Sequence, residues 1–362
     1  MLKGNFFKYI LLTILSLQFI VGSIAQTSAP KFSNEFLSIG VGAKALAMGR
    51  TQVASVGDVT SGYWNPAGLV NIESQYEFSL MHAEYFAGIA KYDYASFATP
   101  VDSLSNIGIS IIRFAVDDIP DTRFLYDANG ALNYDNIKFF TAADYAFFFS
   151  YARKIPKLKG LQVGANFKVV HRNVGDFANA WGFGLDAGAQ LRLNKWQFGL
   201  MLRDITGTFN AWTHNTELLI DIFTQTGNDI PDNSVEITLP KMIVGAAREF
   251  RFGEGKVSLD VALDLDVTFD GKRNVLIKSD FASIDPHMGL ELDYKNIAFL
   301  RFGAGEFQEV KRFDGSTFWT FQPNMGVGVE IKKIRVDYAI TDIGDQAESL
   351  YSNVFSITVG IK

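Results

Sequence analysis

Val257-Ser258-Leu259-Asp260-Val261-Ala262-Leu263-Asp264-Leu265-Asp266-Val267 alternates without interruption: Val, Leu, Val, Leu, Leu and Val on one phase, Ser, Asp, Ala, Asp and Asp on the other. Side chains of a strand point to opposite faces in turn, so this stretch is a ribbon with one apolar and one charged side. In a water-soluble sheet the apolar side needs a second layer of helices or strands. The chain has few helical patterns to supply one. The same rhythm recurs in about fourteen stretches after residue 75, near 76–86, 88–99, 106–116, 142–153, 161–172, 181–193, 196–205, 238–249, 256–267, 286–294, 296–303, 324–332, 334–341 and 353–361. Most have the nine to eleven residues that a tilted strand needs to cross hydrocarbon. The reading is an all-β fold, a 14-stranded antiparallel transmembrane β-barrel whose apolar side meets lipid.

Connection lengths support this independently. Those at 100–105, 154–160, 194–195, 250–255, 295–296 and 332–333 are short. Those at 117–141, 173–180, 206–237, 268–285, 304–323 and 342–352 are long, and only the one near Ala87-Gly88 breaks the parity. Outer-membrane barrels have short periplasmic turns and long extracellular loops.

Residues 1–25 read as a secretory leader, with Lys3 and Lys8 before an apolar run and Ser23-Ile24-Ala25 as the cleavage site. Its removal would move the formal charge from −6 to −8, which speaks against a nucleic-acid partner. The chain has no cysteine, hence no disulfide or thiolate metal site. No later stretch is long and apolar enough for a spanning helix. Its 32 glycines and 32 phenylalanines suit a barrel, with small residues toward the lumen and aromatic girdles at the interfaces.

The alternation sends charge inward: Lys168, Asp186, Arg192, Arg203, Asp260, Asp264, Asp266, Glu291, Asp293, Glu330, Arg335 and Asp337. Arg or Lys at the lipid midplane would cost about 2–4 kcal/mol each. Asp260, Asp264 and Asp266 suit either a cation or solute site or a network neutralised by basic neighbours. His82, His171, His214 and His287 are scattered without metal-ligand spacing, and Ser79 and His82 fall on opposite faces of one strand. No catalytic set, metal site or cofactor motif emerges.

Residues 26–74 form a separate segment before the barrel of 75–362. It lacks strand alternation and is rich in Gly, Ala and Ser, which suits either a plug in a confined lumen or an N-terminal arm. Trp64-Asn65-Pro66-Ala67-Gly68 reads as a rigid corner, because Asn can bond turn backbone and the residue before Pro avoids helix. The long loops carry apolar surface: Phe209, Trp212, Leu218, Leu219, Ile220 and Phe223 in one, Phe313, Phe318 and Trp319 in another. They would either pack together as a lid or dock a partner through aromatic anchors.

Phe36-Leu37-Ser38-Ile39-Gly40-Val41-Gly42-Ala43, Ala47-Met48-Gly49, Tyr63-Trp64-Asn65-Pro66-Ala67-Gly68-Leu69 and, near the far end, Val336-Asp337-Tyr338-Ala339-Ile340-Thr341-Asp342-Ile343-Gly344 resemble the PorV/PorQ family. These are outer-membrane proteins of the type IX secretion system in Bacteroidetes, distantly related to the FadL fatty-acid transporters. The resemblance implies a fourteen-stranded barrel with an N-terminal hatch in its lumen. It also implies binding of secreted cargo or secretion-system proteins, with no enzymatic activity, in a Bacteroidetes-like outer membrane. The competing expectation is a FadL-like transporter of small hydrophobic compounds, with an apolar pocket between hatch and wall.

Overall fold

The computed structural model describes residues 33–362 apart from 128, 228, 230, 231 and 342–350. The expected leader lies outside the described residues, as does most of the connection at 342–352. Seventeen strands follow one another: β1 (Tyr76–Tyr85), β2 (Ala90–Pro100), β3 (Ser105–Asp121), β4 (Lys138–Lys154), β5 (Leu161–Val174), β6 (Ala178–Leu193), β7 (Trp196–Arg203), β8 (Thr208–His214), β9 (Val235–Thr238), β10 (Lys241–Phe252), β11 (Val257–Thr268), β12 (Ile277–Lys278), β13 (Ser283–Tyr294), β14 (Ala298–Lys311), β15 (Thr317–Ile331), β16 (Ile334–Thr341) and β17 (Ser352–Ile361). Each anticipated strand is present. β8, β9 and β12 are short additions on the long-loop side, and the other fourteen make the wall.

Every wall pairing is antiparallel. β7 pairs with β10, β11 with β13, and β17 closes on β1 from Tyr76↔Ile361 to Glu84↔Asn353. The sheet therefore has no free edge, the condition for satisfying backbone groups in hydrocarbon. The opening stretch is β11. Its Val261 and Leu263 are exposed on the outside, while Ala262 and Asp264 are buried inside. Asp186, Lys168, Glu291, Asp293 and Asp337 are likewise buried in the lumen.

Three expectations about connections need correction. The stretches 117–141 and 304–323 are not loops throughout, because β3 and β4 run 17 residues each and β14 and β15 continue as a hairpin to a turn at 312–316. Alternation weakens there because apolar residues stand on both phases, as with Phe139 and Phe140 or Phe318 and Trp319, and a sequence reading stops too early. Similarly, 206–237 is a strand, a helix (Thr216–Thr226) and a strand. The opposite rim keeps its tight turns. Lys332 and Lys333 sit at φ 51° and 65°, the left-handed geometry that a two-residue hairpin turn requires.

Residues 33–74 lie inside this wall. The helical turn Ala43–Ala47 rests against β14, β15, β16 and β17, and the 3-10 turn Pro66–Asn71 rests against β3, β4, β5 and β6 on the far side. The segment thus crosses the lumen from wall to wall.

Candidate functional site in the barrel lumen

Inward glycines let that crossing happen. A Cβ added at Gly188 would lie 2.0 Å from Asn65 Oδ1, at Gly199 2.2 Å from Val53 O, and at Gly303 2.0 Å from Gly49 N. Wall and segment backbones touch where a side chain would otherwise stand.

Polar ties then fix the segment. Asn65 is extended (φ −161°, ψ 104°) and caps the 3-10 turn, its Oδ1 accepting from Ala67 N at 3.2 Å. Its Nδ2 donates to Val53 O at 2.8 Å and to the wall carbonyl of Ala189 at 3.1 Å. Pro66 takes the first position of the turn, where no N–H is needed. Trp64 Nε1 donates to Val41 O at 2.9 Å; Ala67 is fully buried, and a Cβ on Gly68 would meet Val56 O at 2.5 Å. These five residues form one internally bonded corner, seated between β5, β6 and β7.

The lumen charges divide by role. Asp264 accepts two backbone amides of the segment, Gln52 N at 2.8 Å and Val53 N at 3.0 Å. Asp266 pairs with Lys241 and lies 3.9 Å from His287. Glu291 pairs with Arg301 in the wall and with Lys44 of the segment at 3.2 Å. Arg335 joins Asp58 of the segment at 2.5 Å and Asp337 at 3.1 Å. Asp260 stands opposite Glu291 in register. Of Asp260, Asp264 and Asp266, for which basic neighbours were anticipated, Asp266 has one in Lys241, Asp264 is a bracket for backbone, and no ion pair of Asp260 occurs among the described residues. Sequence reasoning missed Arg301, Lys44 and the Arg50–Glu306 pair. The phase of β14 could have found Arg301, which falls between outward Leu300 and Phe302.

The Asp58–Arg335 pair acts as a latch on the short-turn side of the segment, and Asp58 gives it a pH signature. Burial pushes its carboxyl up, but Arg335 and the Thr60 hydroxyl outweigh that and hold it at about 2, below its ordinary 3.8. A depressed carboxylate stabilises the folded state above its ordinary value and loses that contribution as pH falls through its folded value. Thermal melting should therefore drop between pH 4 and 2, and in Asp58→Asn the Asp58 share of that drop should be gone. An unchanged pH profile in the variant would show that the latch contributes nothing.

The aromatic residues anticipated as docking loops are not one surface. Phe209 lies on β8 and faces outward, 5.9 Å from Phe183. Trp212 turns inward under Arg172 at 5.1 Å. Leu219 and Phe223 are half-buried on the helix Thr216–Thr226, which is tied down by Arg123 NH1 donating to Leu218 O at 3.1 Å. Phe318 and Trp319 belong to β15, Trp319 near Lys278 at 5.8 Å, and only Phe313 at the hairpin turn is fully exposed. The hairpin leans on the 269–282 connection through Asn274 Nδ2 and Glu309 O at 3.0 Å. The histidines are equally dispersed: His82 and His171 face outward, His287 is buried in the lumen and His214 lies on β8.

Two cavities open above the segment on the long-loop side. One of about 480 Å³ is polar, lined among others by Arg50, Arg203, Lys241, Asp266 and His287. Arg203 there stacks over Tyr63 at 4.4 Å and donates to its hydroxyl at 3.2 Å. The other, about 420 Å³, lies between segment and wall; Phe36, Ile39, Leu46, Tyr85, Phe86 and Phe114 line it together with the Arg50–Glu306 pair, Gln322 and Asn324. A third space of about 290 Å³, with Asp58, Glu77 and Arg335, lies below the segment near the short turns.

No family model matches this chain, and no curated protein does. Solved structures do. The chain is similar to the Ralstonia pickettii toluene transporter TbuX (TM-score 0.50, 15% identity, 89% of this chain and 99% of that one). It is similar also to the P. putida toluene transporter TodX (0.53, 13%, 89% and 99%) and to the monoaromatic hydrocarbon channel CymD (0.53, 12%, 88% and 97%). At these identities the likeness is one of fold: the closed fourteen-strand barrel of Gram-negative outer-membrane proteins.

Proposed function

We propose that this barrel admits small hydrophobic compounds from the outer surface and passes them inward when the N-terminal segment shifts, acting as a hatch. The observation that carries the reading is the cavity of about 420 Å³ between segment and wall, in which six apolar side chains face a polar rim that includes the Arg50–Glu306 pair. Its size and lining suit a monoaromatic or short aliphatic molecule. The hydrocarbon specificity of TbuX, TodX and CymD supports the same class. The polar cavity beside it would act as a wetted vestibule. Uptake of labelled toluene into cells lacking their own hydrocarbon channel tests this. Full-length protein should raise the initial rate, and Ile39→Trp, which fills the cavity, should return it to the empty-cell level. A wild-type rate equal to that of empty cells would overturn the proposal.

Binding of secretion components or cargo, in the manner of the PorV/PorQ proteins, is the second reading. It rests on the sequence blocks quoted above and on Phe313 presented at the hairpin turn. Loss of protein secretion without loss of hydrocarbon uptake on Phe313→Asp would favour it.

A further inference from the structure

The apolar belt around the barrel is not of even height. On β11 five apolar residues of the outward phase are not buried (Val257, Leu259, Val261, Leu263, Leu265), and on β13 six (Ile284, Pro286, Met288, Leu290, Leu292, Tyr294). Ten residues of tilted strand span about 25 Å of hydrocarbon. On β1 only Tyr76, Phe78 and Leu80 precede His82 and Glu84; on β2 only Phe97 and Ala95 lie below Asp93 and Lys91; on β3 only Ile107, Ile109 and Ile111 lie below Arg113. Short turns keep the lower rim level, so this side of the belt is about half as tall.

These outward charges form one network. His82 Nδ1 meets Asp93 at 2.7 Å, Arg113 lies 3.5 Å from Asp93 and 3.4 Å from Asp117, and Lys91 donates to Asp117 at 3.0 Å. Beneath it runs a groove of about 610 Å³ with Leu80, Ala95, Ile111, Val336, Phe355 and Ile357. A charge held in hydrocarbon is costly and is tolerated against protein rather than lipid.

We propose that this face, β17 with β1, β2 and β3, pairs with the same face of a second copy of the chain. The inference is independent of the transport reading. Its ground is self-complementarity. A two-fold axis along the membrane normal through β2 sets β1 opposite the copy's β3. The hydrogen-bonded row through His82 descends by way of Phe355, Tyr338 and Val327 to Phe250 at the lower rim, and rises through Asp93 and Arg113 to Trp181 near the upper rim. With strands tilted roughly 40°, each strand along the row gains about 3 Å of height, so Arg113 sits about 6 Å above His82. Glu84, two residues further up β1, gains about 5 Å. Glu84 and the copy's Arg113 therefore meet at one level, twice per dimer. Glu84 is the carboxylate in this patch left for such a partner: the only basic group within 4 Å of it among the described residues is His82, at 3.8 Å. The groove would receive the apolar side chains of the facing strands, as an interface core does.

The chain has no cysteine, so Ala95→Cys places a single thiol at the proposed axis. In isolated membranes a short bismaleimide should join Ala95→Cys into dimers and leave Leu263→Cys, on the far wall, monomeric. Glu84→Arg alone and Arg113→Glu alone should each lower the joined fraction at least about tenfold, since like charges then face each other, and the double exchange should restore it. If Ala95→Cys stays monomeric and an apolar maleimide labels it as fast as Leu263→Cys, lipid covers the face and the proposal fails. It fails equally if Ala95→Cys is shielded yet monomeric, which assigns the face to a different protein, or if the double exchange does not restore dimers.

Discussion

Gly303→Ala should make the barrel conduct. The new Cβ would lie 2.0 Å from Gly49 N and 2.3 Å from Met48 C, both backbone atoms that cannot rotate aside. One of the two backbones must move. Strand β14 is paired around Gly303 on both sides, with β13 from Ala298 to Ala304 and with β15 from Ala298 to Gly305, whereas the segment is held by individual side-chain ties, so the segment yields. Overpacking of this kind costs about 1–3 kcal/mol where neighbours can adjust. Displacing residues 48–51 also pulls Gln52 N and Val53 N from Asp264, and each buried amide left unpaired adds about 1–3 kcal/mol. The wall itself keeps its pairing and its apolar exterior, and the barrel should still insert. Planar-bilayer recordings should show no steps for the natural protein and stable single-channel steps for the variant, with Ala298→Gly on the outer face silent. A variant as tight as the natural protein would mean that the segment can shift without unsealing the lumen.

How much of this was legible in the sequence follows from what alternation encodes. Period two states which face a residue takes, and each wall strand was readable because lipid on one side and a filled lumen on the other make the two faces chemically unlike. Beyond the membrane both faces meet water, the contrast vanishes, and the upper ends of β3, β4, β14 and β15 were read as loop. The short β8 and β9 were lost for the same reason. Alternation also placed Asp264 inward but could not say what it would meet, since its partners are backbone amides of a segment more than 200 residues earlier. Asn65-Pro66-Ala67 was readable as a rigid corner because its main bond, Asn65 to Ala67 N, is local. The smooth track under it was not read, although Gly188, Gly199 and Gly303 all fall on the inward phase. Outward charge on β1, β2 and β3 was equally available from phase, as the opposite facing of Ser79 and His82 already implied.

Arg301→Leu should produce a large loss of stability. Arg301 is fully buried, its Nε bonded to Glu291 and one terminal nitrogen to Asp337 at 2.7 Å, and Gly328 leaves room for the guanidinium. Removing one member of a buried ionic set strands the others, at about 3–5 kcal/mol. Lys44 and Arg335 still face the two carboxylates, which places the expected loss near the lower end of that range. The effect should not stay local. Glu291 holds Lys44 and, through Asp337 and Arg335, the chain of pairs reaches Asp58, so Arg301 is the wall-side centre of two of the segment's ties. Arg301→Lys keeps one charge but not the fork that reaches both acids, and should recover less than half of the loss. Glu291→Gln and Asp337→Asn added to Arg301→Leu remove the stranded charges and should recover more than Lys does. Melting of the folded barrel in detergent, followed by its faster electrophoretic migration without heating, gives the order of the four proteins. If Arg301→Leu melts with the natural protein, the two carboxylates are satisfied by Lys44 and Arg335 alone, and the segment is held by its backbone contacts rather than by charge.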